Sequence, residues 1–593
     1  MFSLEQFNFG GVPDNRMFLK GFDGEEERIT GKQIHLYQNE GEREMRGIDS
    51  FPSDFGFYVD NTADDGLLWS NFQQEYQQHQ LFSDLGISDE IVPPPLQPSY
   101  EELANLSDVR IGNHGLDEPK EKNSFSIPLT SLGILKNHGS GFRRLTGEKT
   151  KVPSNGTTWT KPETRVMGGQ KLSTVDVLRL AGERFIQSPS QGAGDLSILS
   201  HPFGSSFFNL SDSETKDVEL VQNLLSSAEK IGQQQYDRAS KLLSLCDDLS
   251  SDAGNPVERV VYYFSKALRE KIDLETGRIT SKGLGKKQLS DLEGLMVRAN
   301  SATVGFHEKV PFSQICQFTG IQAIIEHVAE AKKIHFIDLD LRTGVHCAVL
   351  MQALASRSQC SVELLKISAV ATNSKSTVEE TSERLKCFAR TINLPFSFSL
   401  VMVSDMLDLK PDLFPLEDEE AVAINARYCL RAMLPMPDRL ESLMRVLRNI
   451  NPRIMVVAEV EASHNSPVFV NRFIEALFFF GAYFDCLEDC MDCNDPDRKT
   501  AESVNFNQGI RNIIAAEGEQ RINRNVTISV WRAFFARYGM VEEELSTSSL
   551  YQASLVIKNF ASGSSCTLHM DGKCLIVGWK GTPLHSLSAW KFI

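Results

Sequence analysis

Asp338 ends an apolar run, Ile334-His335-Phe336-Ile337, and Gly344 closes the short loop after it, just before Ala348, Val349, Met351, Gln352 and Leu354 recur at helical spacing. A carboxylate ending a strand and a glycine heading the next helix is how an open α/β sheet holds a nucleotide-type ligand, at the carboxyl end of its strands. Phosphate approach in a dinucleotide site needs Gly-x-Gly-x-x-Gly, and Gly344 is the sole glycine of this loop. A second chemistry on the same framework is methyl transfer from S-adenosylmethionine. That enzyme needs a glycine-rich first turn and an acid ending the next strand to hold the ribose hydroxyls; here Leu364–Val370 is followed by Ala371-Thr372-Asn373, without a carboxylate. Asp338 is therefore read as a brace of its turn, and His335 as a buried histidine satisfied by its neighbours.

Three further groups invite chemical readings. His464, near Glu459 and Glu461 and beside Asn465, has the composition of a general base with its orienting acid. No Gly-x-Ser-x-Gly or comparable nucleophile turn accompanies it, so a loop-capping cluster at a strand end is expected. Cys486, Cys490 and Cys493 lie four and then three residues apart, one helical face without a fourth ligand nearby, which does not complete a zinc site. Arg521, Arg524, Arg532 and Arg537, close to Trp531, are candidate nucleic-acid contacts. The shorter basic clusters Arg143-Arg144 with Lys149 and Lys151, and Lys282, Lys286 and Lys287, read as solvated surface, import signal or phosphate contact.

The elements that must position these residues follow from length and patterning. A chain of 593 residues exceeds one ordinary domain, and 41% hydrophobic residues suffice for a sizeable core. The formal charge of −17 opposes a broad electrostatic grip on nucleic acid. No apolar run is long enough to span a membrane, and Met1-Phe2-Ser3-Leu4-Glu5-Gln6 lacks the basic start of a secretory signal. Eleven scattered cysteines, an odd number, suit a reducing compartment, cytosolic or nuclear.

Residues 1–214 are rich in Pro, Gly, Ser, Asn and acids and read as a largely disordered, acidic region. Aromatic islands (Phe51, Phe55, Phe57 and Tyr58; Leu67, Leu68, Trp69 and Phe72) interrupt it, either to fold onto a partner as activation segments do or as parts of a spacer. Val92-Pro93-Pro94-Pro95-Leu96 is a stiff extended piece, and one short helix is expected over Thr174–Ile186. From Val218 the spacing of Val218, Val221, Leu224, Leu225, Ala228 and Ile231 opens a helical block that continues through Ala239–Cys246 and Val260–Leu268, with a further helix reaching Asn300. Strands are then expected at Ile334–Leu339, Leu364–Val370, Phe396–Val403, Ala421–Ile424, Ile454–Glu459, Leu555–Asn559 and Cys574–Trp579. Helices are expected between them at Val378–Thr391, Arg439–Leu447 and Val468–Phe480. Such alternation means parallel strands joined by right-handed crossovers. The last two strands, lacking a helix between them, read as an antiparallel edge hairpin.

Gln322-Ala323-Ile324 followed by Ile334-His335-Phe336-Ile337-Asp338 resembles the central motif of the plant GRAS proteins, a superfamily that includes SCARECROW-like and DELLA-like branches. Other blocks recur in the same order. Val218–Leu268 is similar to the first leucine-rich region and Ala421–Leu434 stands where the second would be. Pro452–Leu487, with Arg472, Phe473 and Glu475, resembles the block called PFYRE. Trp531 with Gly539, Trp579 with Trp590, and Ser588-Ala589-Trp590 match the C-terminal pattern. The chain departs from the family after Gly344, where Val345-His346-Cys347-Ala348 replaces Leu-Gln-Trp-Pro, and has no Asp-Glu-Leu-Leu-Ala run in its N-terminal part. The resemblance covers residues 215–593 and implies a methyltransferase-like, Rossmann-type α/β core (306–593) under an α-helical cap (215–305). It also implies a nuclear transcriptional regulator without catalysis or cofactor. Its partners would be zinc-finger transcription factors and other GRAS chains in homo- or heterodimers, with promoter DNA a further candidate. The pathway, the sign of regulation and the branch are not legible in the sequence.

Overall fold

The computed structural model describes residues 129–145, 172–187, 210–278, 305–372 and 375–593. The aromatic islands, the proline run, the lysine clusters and the helix expected to end at Asn300 lie outside the described residues, as do the side chains of Arg143 and Arg144.

Five strands carry the parallel part of the sheet: β1 (Lys333–Asp338), β2 (Leu364–Ala371), β3 (Phe396–Met402), β4 (Ala421–Arg427) and β5 (Ile454–Val460). Their order, β3-β2-β1-β4-β5, is that of a Rossmann-type, methyltransferase-like sheet. The four remaining strands are β6 (Met540–Glu543), β7 (Cys566–Asp571), β8 (Cys574–Trp579) and β9 (Thr582–Phe592). β9 runs antiparallel beside β5, with β8 and then β7 outside it, while β6 pairs with β9.

The antiparallel margin is real, but one of its expected strands is not. Leu555–Asn559 is the last part of a helix, Thr547–Asn559, started by Ser546, whose Oγ accepts from Ser549 N at 3.0 Å. The β-branched run there suggested a strand; Ala553, Leu555 and Val556 are instead buried on a helical face. Cys574–Trp579 instead pairs with Cys566–Asp571.

Side chains alternate across the sheet and found two cores. In β1, Ile334 and Phe336 belong to the core shared with the cap, and Ile337 to the other. In β5, Val456 and Ala458 face the first, Met455 and Val457 the second. This period of two, with both faces covered, is why these strands read as continuous apolar runs.

Ten helices matter for the site: α1 (Leu129–Leu145), α2 (Thr174–Gln187), α3 (Asp212–Gly232), α4 (Tyr236–Leu249), α5 (Pro256–Glu275), α6 (Pro311–His327), α7 (Val345–Ala355), α8 (Lys375–Thr391), α9 (Pro437–Ile450) and α10 (Phe469–Cys490). α11 (Asn507–Ile514) and α12 (Ile528–Ala536) follow. Ser211 and Glu214 form a reciprocal capping box at α3, and Asn255 caps α5 with Pro256 at its first position, which fixes where the chain breaks.

The cap is broader than the leucine-rich block. α11 joins it through Arg511, which grips Glu270 at 2.6 and 2.7 Å, and α10 through Glu488, 3.0 Å from Arg259. α1 and α2, which precede residue 215, pack onto it as well. Thr174 N donates to Asp485 Oδ1 at 3.0 Å, and His138 stacks on Phe478 at 4.0 Å. A Cβ on Gly481 would come within 2.3 Å of Leu178, so α2 and α10 approach more closely than an alanine allows.

Candidate functional site

At the carboxyl end of β1, the groups that suggested chemistry are turned onto one another. Asp338 is fully buried. Its Oδ1 accepts from Asp340 N at 2.9 Å, and its Oδ2 accepts from Asn425 Nδ2 at 2.9 Å and from His346 Nε2 at 2.6 Å. Burial alone would raise this carboxyl; His346, Asn425 and the Asp340 amide more than offset it and hold it below the usual carboxylate range. The loop beyond is closed by its own contacts: Asp340 receives Arg342 Nε at 2.6 Å, and Thr381 Oγ1 donates to Arg342 O at 3.3 Å. Gly344 has φ +71°, and a Cβ there would stand 2.8 Å from Thr381 Cγ2, so the turn requires glycine for conformation and for space.

These residues do not fit S-adenosylmethionine: the carboxylate that would anchor it is spent within the chain, and β2 ends at Ala371 without an acid. Among the described residues, Asp338, His346 and Cys347 are the one group whose donor atoms lie within 4.8 Å of one another, as metal ligands must. Two of those atoms already share a hydrogen bond, and burial, with Asp338 nearby, pushes the Cys347 thiol far up.

His335 is a buried core histidine, hydrogen-bonded at one ring nitrogen rather than satisfied at both. Its Nε2 lies 2.7 Å from Ser368 Oγ, its Nδ1 3.4 Å from Glu420, and burial with the nearby Lys366 lowers it to about 4. The PFYRE residues brace the cap. Arg472, fully buried, donates to the carbonyls of Ser466, Pro467 and Ile513 and pairs with Glu517. Phe473 meets Phe264 edge-on, and Glu475 lies 3.3 Å from His138. Trp531, Trp579 and Trp590 are all buried; Trp531 and Trp590 sit in the core beneath the sheet and Trp579 in the core under the cap. Gly539, at φ +76°, makes the turn into β6. Asp485 is a positioning residue whose role the sequence did not disclose, binding Thr174 N, Trp579 Nε1 and Lys580.

The four arginines do not form one phosphate-ready face. Arg521 is 5% exposed, and burial followed by the charges of Arg472 and Arg524 lowers it to about 10. Arg524 N–H donates to Arg431 O, and its guanidinium to Gly518 O at 3.1 Å. Arg532 is held by Glu542 at 2.9 Å and Asp571 at 2.7 Å. Arg537 is solvent-exposed, with Glu441 3.9 Å away. Buried Arg521 cannot meet a phosphate without unpacking its surroundings. The cysteines are corrected as well: α10 stops at Cys490, so Cys493 is not on the face of Cys486 and Cys490, whose sulfurs are 3.9 Å apart.

The open feature lies elsewhere along the same edge. A small cleft separates the ends of β4, β5 and β9 from the cap. Tyr428, Val460 and His585 form its sheet side; Phe479, Phe480 and Tyr483 of α10, Phe506 and Ile513 form its cap side. His585 joins the two: Tyr428 Oη is 3.0 Å from its Nδ1 and Tyr483 Oη 2.7 Å from its Nε2. Burial, then Arg431 and Arg427, lowers His585 to about 3, so the imidazole is neutral at pH 7. It donates through one nitrogen and accepts through the other.

Glu459 and Glu461, at the end of β5, brace the turn after β4 and the start of α12. Glu459 Oε1 accepts from Leu430 N at 2.8 Å and Glu461 from Ile528 N at 2.9 Å; burial raises each to about 7. His464 pairs with Asn525 at 3.0 Å rather than with either glutamate as an orienting acid, and burial lowers it to about 4.

Comparison with known proteins supports the motif reading. Residues 220–591 match the GRAS domain family. The chain belongs to that family of plant transcriptional regulators. A grape (Vitis vinifera) relative, DELLA protein GAI1, is 30% identical over 64% of this chain and 63% of its own length, so more than a third of that protein lies outside the match. DELLA protein RGL1 of Arabidopsis thaliana is 30% identical over 64% of this chain and 71% of its own. The crystal structure of SCL7 from Oryza sativa superposes with a TM-score of 0.56 at 27% identity, covering 63% of this chain and 99% of that one. No helix among the described residues is long and apolar enough to cross a membrane.

Proposed function

We propose that this protein is a nuclear regulator of transcription that works as a scaffold, binding zinc-finger transcription factors and other GRAS chains and reaching promoter DNA through them. Family membership over residues 220–591 carries the proposal. The internal pairing at the end of β1 supports a non-catalytic sheet, because the carboxylate available for a cofactor is already committed to Asp340, Asn425 and His346. Partner-borne rather than direct DNA recognition is supported by burial of Arg521 and by the ion pairs of Arg532. An overall charge of −17 works in the same direction.

The test is the full chain, fluorescently tagged in plant cells and fused to a heterologous DNA-binding domain upstream of a reporter. The expected result is nuclear accumulation and a several-fold change in reporter output. Exclusion from the nucleus together with unchanged output would contradict the proposal.

A further inference from the structure

Two strands bound the sheet with no described strand beyond them, β3 at one flank and β7 at the other. An outermost strand offers a row of backbone donors and acceptors to any extended chain, and natural proteins blunt such strands with charge, proline or a bulge. β7 follows that rule: it closes on Asp571, which Arg532 holds at 2.7 Å. β3 does not. Phe396-Ser397-Phe398-Ser399-Leu400-Val401-Met402 carries no charge, proline or glycine.

The register fixes which backbone groups of β3 face outward. Leu365 N donates to Pro395 O at 2.9 Å and Val403 N to Ala371 O at 3.0 Å, so the odd-numbered residues point their N–H and C=O groups at β2. The N–H and C=O groups of Phe396, Phe398, Leu400 and Met402 therefore point away from the sheet. Phe396, Phe398 and Leu400 pack toward the core shared with the cap and Val401 lies in the other core, so the strand is held from both faces.

The loop after β3 indicates what would pair there. Residues 403–420 hold seven acidic side chains against Lys410 alone. Asp408, Asp412, Glu417 and Asp418 are exposed, and among them Leu407, Leu413 and Leu416 are exposed as well. This loop runs over the sheet face next to β3: Lys366, opposite Ser397 in the β2–β3 register, donates to Pro415 O and lies 3.5 Å from Glu420. A second copy of the chain, itself of charge −17, would bring two such acidic loops together. A basic segment would meet opposite charge.

We propose that β3 accepts, as an added strand, an extended segment of another protein in which alternating apolar residues are flanked by Lys and Arg. Main-chain hydrogen bonds to Phe398 and Leu400 supply the grip, and the acidic loop selects the charge. The inference deepens the scaffold reading and rests on it for the existence of partners. Its test reads binding in solution, not nuclear entry or reporter output, so either can fail alone.

The experiment is fluorescence anisotropy of the full chain with the labelled peptide Lys-Arg-Val-Thr-Val-Thr-Val-Arg-Lys and with a counterpart carrying Glu at every basic position. The basic peptide is expected to bind in the micromolar range and the acidic one at least about tenfold more weakly. Methylating the backbone nitrogens of the valines should abolish binding and methylating those of the threonines spare it, or the reverse, because only one set faces β3. Ser397→Lys puts a charge on the strand, and Leu400→Pro removes an outward N–H without touching the β2 ladder; each should weaken the basic peptide by about tenfold. Thermal melts serve as the folding control, and Ser397→Lys, at an exposed position, keeps the test readable should Leu400→Pro unfold. No binding of the basic peptide, equal binding of both peptides, indifference to both methylations, or undiminished binding to folded Ser397→Lys would overturn the assignment. Self-association of the full chain that Ser397→Lys abolishes would overturn it too, by making a second copy the occupant.

Discussion

The carboxyl end of β1 and the carboxyl ends of β4 and β5 lie along one edge of one sheet, and they treat polar groups in opposite ways. At β1, Asp338 receives three donors, Gly344 packs against Thr381, and Asp340 is paired with Arg342 of the same loop. At β4 and β5, Glu459 Oε2 and Asn525 Oδ1 have no hydrogen-bond partner among the described residues, and an aromatic-walled cleft stands open under the cap. The same framework that hosts nucleotide chemistry elsewhere is sealed at one half and accessible at the other. Fold does not fix function; which strand end is filled decides what the sheet can hold.

The largest effect should come from breaking the sealed half. Asp338→Ala leaves the His346 and Asn425 donors and the Asp340 amide without their acceptor in a fully buried setting, and should cost about 3–5 kcal/mol in denaturant unfolding. Trp590→Ala, in the core beneath the sheet, should cost a similar ~3–5 kcal/mol. If Asp338→Ala cost less than a surface substitution, the end of β1 would not be sealed by these bonds.

A medium effect should come from pH at the open half. His585 has an ordinary value of 6.5 and is lowered to about 3 in the fold, so its contribution is present above pH 6.5 and is lost as pH falls toward 3. Between pH 7 and 5 that loss is about 2 kcal/mol. Glu459 and Glu461, raised from 4.5 to about 7, act in the opposite sense and add stability as pH falls through that range. The wild type alone therefore mixes the two signs. The stability difference between wild type and His585→Asn isolates the histidine, and should shrink by about 2 kcal/mol between pH 7 and 5; a difference that stays constant would mean the ring is already protonated or exposed.

The smallest effect should be Tyr483→Phe, which removes one hydroxyl from the bridge between cap and sheet. A loss of about 0.5–1.5 kcal/mol is expected in the same unfolding assay. Local hydrogen exchange in α10 should rise more than in β1. Equal rises in both would place the hydroxyl outside the cap–sheet contact.

Much of the framework was legible because both sheet faces are covered. Five parallel strands read as apolar runs, and the intervening helices kept their 3.6-residue spacing. Asp338 as a brace and His335 as a buried core histidine could be inferred from the absence of a glycine-rich loop and from an apolar strand. Two kinds of residue resisted. Leu555, Val556 and Ile557 look like a strand in a short window, and only the cap at Ser546 shows that they close a helix. β9 hides behind Pro583, Ser586 and Ser588, although it is the strand that joins the antiparallel margin to β5. The cleft was not legible at all. Its walls come from segments near 428, 480, 510, 525 and 585, which only the packing of cap on sheet brings together. The arginine run misled because proximity in sequence says nothing about burial: Arg521 and Arg537, sixteen positions apart in sequence, end in unlike surroundings, one packed and the other in solvent.

The most direct measurement of the sealed half is a calorimetric titration of the full chain with S-adenosylmethionine. No heat is predicted, because the Asp338 carboxylate and the turn before Gly344 are already engaged within the chain. Micromolar binding that disappears in Asp338→Asn, in a variant that still melts cooperatively, would contradict this and return the end of β1 to use as a cofactor site.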